Sequence, residues 1–125
     1  MAFSVSSATN GSHTVHVQLT AGTNGAVPSA FTRAREVASI TKGTHTYAVK
    51  FVRGRTALLD WSVKVIQATP DVDGAWEAKV IGEDIAGTTK TITIGFFAAD
   101  GTPVDMATGD VLRACFELKT SPGLA

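Results

Sequence analysis

The chain has 125 residues, 44% hydrophobic and 18% charged, and its 11 basic and 11 acidic side chains balance. That composition fits one globular domain over residues 1–125 with a real core rather than a disordered chain; the charge balance argues against general nucleic-acid binding. No run approaches the ~20 consecutive apolar residues needed to span a bilayer. No charged-then-apolar leader opens the chain, so the sequence predicts a soluble product of the cytoplasm with no membrane partner.

Apolar and polar residues alternate with period two in segment after segment. In residues 13–20, Val15, Val17 and Leu19 share one face and Thr14, His16, Gln18 and Thr20 the other, the pattern of a half-buried strand. Residues 22–30 are small, polar and Gly/Pro-bearing, and with Phe31 read as a long loop or arm. In residues 44–52, Tyr47, Val49 and Phe51 alternate with Thr46, Ala48 and Lys50. Ala57, Leu58 and Leu59 read either as a short helical turn or as a bend in a strand. Residues 61–68 then set Trp61, Val63 and Val65 against Ser62, Lys64 and Ile66. Trp76, Ala78 and Val80 alternate with Glu77, Lys79 and Ile81, and Ile92, Ile94 and Phe96 with Thr91, Thr93 and Gly95. The last run, residues 110–119, sets Leu112, Ala114, Phe116 and Leu118 against Val111, Arg113, Cys115 and Glu117.

Turn chemistry falls between these runs. Asn10-Gly11, Asn24-Gly25, Lys42-Gly43, Asp73-Gly74 and Asp100-Gly101 supply the positive φ that tight turns need. Pro70 and Pro103 sit in connections, where no ladder bond is lost. Many short strands at this spacing predict an all-β fold, an antiparallel β-sandwich or jelly roll.

Candidate chemistry is sparse. The sequence holds no nucleophile elbow, phosphate loop, dinucleotide fingerprint or His-Glu-x-x-His zinc motif, so neither catalysis nor a cofactor is expected. His13 and His16, three apart on a strand, point to opposite faces and do not share a metal ion. Asp71, Asp73 and Glu77 fail the calcium-loop spacing, because Trp76 and Gly82 fall where glycine and the bidentate glutamate belong. Glu83 and Asp84 diverge as strand neighbours and make no acid–base pair. Cys115, the single cysteine, excludes an internal disulfide and reads as a small strand residue. Trp61 and Trp76 alternate in phase with apolar neighbours, so core packing is expected, with sugar stacking as the alternative.

The charges are unevenly placed. Basic residues predominate in residues 1–60 and acidic residues in 61–125, an asymmetry that favours self-complementary contacts between copies unless interleaved strands cancel it. Arg53 and Arg55 flank Gly54, and two guanidiniums so placed suit a carboxylate on a partner protein.

Residues 43–52, Gly-Thr-His-Thr-Tyr-Ala-Val-Lys-Phe-Val, lead to Ala57-Leu58-Leu59 and a strand through Ile66. Then follow Glu83-Asp-Ile-Ala-Gly87, Lys90-Thr-Ile-Thr-Ile94, the Asp100–Asp105 turn and a last strand from Gly109-Asp110 into a short polar tail. In that order these motifs resemble the small bacteriophage capsid decoration, or cement, proteins, across residues 43–120. The chain departs from their pattern at Arg53-Gly54-Arg55-Thr56, where acidic or aromatic residues are more usual. The resemblance implies a jelly-roll-like virion structural protein without catalysis or cofactor. Such a protein is made in the host cytoplasm and sits on the capsid exterior. Its partners are the major capsid protein and itself, as a homodimer or homotrimer. Residues 22–31 with Arg33, Arg35, Arg53 and Arg55 are the candidate contacts. A tail, fibre or baseplate component and a carbohydrate-binding β-sandwich module are the alternatives.

Overall fold

A computed structural model of the protein describes residues 12–27, 32–33, 36–52, 57–68 and 75–119. Its strands are β1 (Ser12–Thr20), β2 (Thr32–Arg33), β3 (Val37–Gly43), β4 (Thr46–Phe51), β5 (Ala57–Ile66), β6 (Glu77–Glu83), β7 (Thr91–Phe97) and β8 (Val111–Lys119), with a 3-10 turn at Thr23–Gly25. All pairings are antiparallel, and the strands form two sheets ordered β2-β1-β8-β5 and β3-β4-β7-β6. The fold is the all-β sandwich that the alternation predicts. No described helix is long and apolar enough to cross a membrane.

The two inner strands of each sheet supply most of the core. Val15, Val17 and Leu19 of β1 and Leu112, Ala114, Phe116 and Leu118 of β8 face Tyr47, Val49 and Phe51 of β4 and Ile92, Ile94 and Phe96 of β7, all buried. Each follows from period-two geometry, because alternate residues of a strand point to the same side. Phe51 meets Phe116 from the opposite sheet edge-on, with ring centroids 6.0 Å apart, and Tyr47 meets Phe96 at 4.9 Å. Such contacts add to the area term by pairing ring edges with ring faces. Ile85 and Met106, carried on connections, close the core from outside the strands.

Strand β3 breaks the alternation, and so the sequence pattern does not announce it. Val37 opposes Phe51 and Ile40 opposes Val49, with a register shift between Val37 and Ser39. The bulge inserts one residue, so its buried side chains lie three apart. A second bulge between Leu58 and Asp60 bends the start of β5; Ala57, Leu58 and Leu59 thus form a strand bend, not a helical turn. The hairpin joining β3 to β4 corrects another expectation. Positive φ falls on His45, at 58°, and not on Gly43. Gly25 and Gly101 do take positive φ, 77° and 90°, while the Asn10-Gly11 and Asp73-Gly74 turns lie outside the described residues. At Gly25 no larger residue fits, because a Cβ would stand 2.7 Å from the Met106 carbonyl oxygen. The Tyr47 hydroxyl donates to the carbonyl of the same Gly25, at 2.5 Å, and ties the turn to the core.

Candidate functional site

Strands β5 and β6 end their respective sheets on the same side of the sandwich, where they touch. Trp61, Val63 and Val65 oppose Phe116, Ala114 and Leu112 in register, so all three belong to the core-facing side of β5. Phe116 is fully buried, yet Trp61 is 40% exposed. Trp76, whose N–H donates to the Phe97 carbonyl at 2.8 Å, stands just ahead of β6 and is 49% exposed. The expectation that both tryptophans pack in the core is therefore corrected. Their phase is apolar, but among the described residues no strand lies beyond β5 or β6 to cover them. Together with Val63, Val65, Ile66 and Ala78 they line an open groove of about 480 Å³, with Lys64, Glu77 and Lys79 at its margins.

The solvent face of the first sheet carries ordered polar rows. Gln18, Arg113 and Lys64 lie side by side across β1, β8 and β5. His16, Cys115 and Ser62 form the next row, and Thr14, Glu117 and Asp60 the third. A shallow depression of about 350 Å³ lies along these strands, lined by His16, Gln18, Ser62, Lys64, Arg113 and Cys115. Two like-charged pairs therefore stand directly opposite each other, Lys64 with Arg113 and Asp60 with Glu117. Such pairs are destabilising within a sheet. Among the described residues, none of these four forms an ion pair. The Asp60 carboxylate instead accepts the N–H of Trp61 at 2.9 Å.

At the opposite side, Asp105 Oδ1 lies 3.1 Å from Lys42 Nζ and 3.3 Å from His45 Nδ1. Partial burial pushes the Asp105 carboxyl up, but hydrogen bonds and charge from Lys42 and His45 together outweigh it and hold the group below its ordinary value. Here a base from the first half of the chain meets an acid from the second, so part of the charge asymmetry cancels locally. Burial, seconded by the charges of Asp105 and Asp110, pushes the Tyr47 hydroxyl up to about 12. These groups brace the connection between β7 and β8. Asp84 braces the β6–β7 connection in the same way, accepting from the Thr89 hydroxyl and amide at 2.5 and 3.1 Å. It faces its own loop, apart from Glu83.

The histidines separate as expected. His16 opposes Cys115 on the solvent face, while His13 opposes Leu118 on the other face and lies 3.8 Å from Glu36. No group of three or more His, Cys, Asp or Glu among the described residues is placed to hold a metal ion. Of the four candidate arginines, Arg33 lies in β2 opposite Val17, at the sheet edge away from β5. Arg35, Arg53 and Arg55 lie outside the described residues, as do positions 28–31 of the candidate loop. No family model, curated protein or solved structure matches the chain.

Sequence reasoning alone passes over Asp60, Lys64, Arg113 and Glu117. Each is an ordinary charge on the polar side of its strand. Their juxtaposition arises only when β5 pairs with β8, which period two does not predict.

Proposed function

We propose that this protein is a virion structural protein that binds the outer surface of a bacteriophage capsid and stabilises it as a homo-oligomeric decoration protein. The order of motifs over residues 43–120 supports the reading. So does the open β5–β6 edge, a strip of half-exposed aromatic and aliphatic side chains fringed by charges, which suits association with another protein. The capsid partner would be the major capsid protein, with the arginines at positions 33, 35, 53 and 55 as the candidate contacts for its carboxylates.

Electron microscopy of the parent virion tests this directly. The expected result is density of this fold on the outside of the head, at a local symmetry axis. Density confined to the tail, fibre or baseplate would overturn it. Replacing Arg53 and Arg55 by alanine should lower capsid occupancy and make it more salt-sensitive while the fold persists; unchanged occupancy would remove them from the contact.

One observation favours a second reading. Two half-exposed tryptophans beside one open groove are also the furniture of a carbohydrate-binding module, since indole faces stack on sugar rings. Saturable quenching of tryptophan fluorescence by an oligosaccharide would favour that module over the capsid.

A further inference from the structure

The β5 edge has a feature that its own sheet leaves unresolved. The like-charged pair Lys64–Arg113 lies at one end of the strand and the like-charged pair Asp60–Glu117 at the other, with Ser62 and Cys115 between them. In each copy these charges repel across the β5–β8 ladder. A second copy, turned by a two-fold axis and laid antiparallel against the first, reverses the order of the charges.

Register and hydrogen-bond direction narrow how that pairing is made. The Trp61 N–H goes to the Asp60 carboxylate, not to a β8 carbonyl. In an antiparallel strand, amide direction alternates residue by residue, so Trp61, Val63 and Val65 present their N–H and C=O groups to the open edge. A two-fold axis normal to the sheet keeps core-facing residues opposite core-facing residues. Centring on Trp61 or Val63 sets no acid against a base, centring on Lys64 sets Lys64 against itself, and centring on Asp60 sets Asp60 against itself. Centring on Ser62 sets Asp60 against Lys64 twice and Trp61 against Val63 twice.

We propose that two copies of this chain pair antiparallel through β5, centred on Ser62, and so join their β2-β1-β8-β5 sheets into one continuous sheet. Across the join the charges read Arg113 and Lys64 of one copy, then Asp60 and Glu117 of the other, an attractive row formed twice by symmetry. The Trp61 N–H exchanges the Asp60 carboxylate for the Val63 carbonyl of the second copy, which frees Asp60 for Lys64. On the inner side, Trp61 and Val63 of each copy cover their counterparts, and the two grooves beside Trp76 merge across the axis. An isologous interface of this kind needs only one patch that complements itself. A lysine on an edge strand ordinarily prevents such pairing; here it has an acidic counterpart at the matching position.

The inference deepens the virion reading and rests on it for its biological use, but its test needs only the free protein. Sedimentation equilibrium of the full chain should give the mass of two chains. Lys64→Asp and Asp60→Lys should each give one chain, because each variant sets like charges opposite each other at both ends of the join. Mixed together, the two variants should recover the two-chain mass, since one carries carboxylates at positions 60 and 64 and the other carries ammonium groups at both. Independently, Ser62→Cys on a Cys115→Ser background should form an intermolecular disulfide under mild oxidation. The facing Cα atoms of a non-hydrogen-bonded pair lie about 4.5 Å apart, within the roughly 4.4–6.8 Å span that a disulfide accepts. A one-chain mass for the unaltered protein, a dimer indifferent to either charge reversal, or a mixture that stays monomeric would each overturn the proposal. A chain that dimerises in this way yet is missing from the capsid surface would sink the virion reading alone.

Discussion

The carboxylate of Asp110 accepts the backbone N–H of Ala68 at 2.9 Å, joining the start of β8 to the segment that leaves β5. Its other oxygen accepts the Ala107 amide at 3.0 Å, and the residue is 1% exposed. A buried carboxylate is tolerable when both oxygens are engaged, and here it satisfies amides that would otherwise be stranded. Asp110→Ala removes both acceptors at once. The expected loss is about 1–3 kcal/mol for each amide left without a partner, read as a lower urea midpoint with an unchanged slope. A loss below about 0.5 kcal/mol, the ordinary scale of surface changes, would show that solvent replaces the carboxylate freely.

Tyr47 is the sole tyrosine, so its ionisation can be followed by phenolate absorbance alone. Its folded-state value, about 12, lies above the ordinary 10.0. The neutral form is therefore the one that folding favours. Stability from this group is full below the ordinary value and is lost as pH rises through the folded one. The absorbance titration of the native protein should be displaced upward, and the unfolding midpoint should fall over the same alkaline range. Tyr47→Phe should flatten that fall, at a cost of about 1 kcal/mol near neutrality for the lost bond to Gly25. An ordinary phenol titration in the native protein would disprove the assignment.

Asp105 predicts the acid limb. Its carboxyl is held below the ordinary value of 3.8, so the charged form is favoured in the fold. Its contribution is complete above that value and disappears as pH falls below it. Asp105→Asn should lower the unfolding midpoint near neutrality and narrow its gap to the unaltered protein as the solution is acidified. A gap that stays constant with pH would mean that the Lys42 and His45 contacts do not depend on the charge.

Trp76 and Phe116 offer a contrast in burial. Phe116→Ala empties a fully enclosed site and should cost about 3–5 kcal/mol. Trp76→Ala, at a side chain about half exposed, should cost clearly less in the same urea titration. Equal losses would indicate that the β5–β6 edge is covered in solution more fully than one copy of the chain can cover it.

Much of the architecture was legible from alternation alone. Val15, Val17 and Leu19, like Leu112, Ala114, Phe116 and Leu118, sit in the core because a pleated strand sends every second side chain to one side, a rule that needs only local sequence. Strand β3 escaped that rule because its bulge sets Val37 and Ile40 three apart. Trp61 shows the other limit. It has the same phase as Phe116, its cross-strand partner, but among the described strands β8 has a neighbour on either side and β5 has one. Exposure therefore depended on position within the sheet, which period two does not encode.

The candidate site divides along the same line. Sequence by itself determined that Ser62 and Lys64 share the polar side of one strand and Arg113, Cys115 and Glu117 that of another, because side-chain direction follows from backbone geometry residue by residue. Tertiary structure alone decided that these two strands are neighbours, that Asp60 joins the first of them, that their like charges meet, and that among the described strands β5 has a neighbour on one side alone. Pairing is a choice among distant segments, made by the packing of the whole core, and a local pattern holds no record of it.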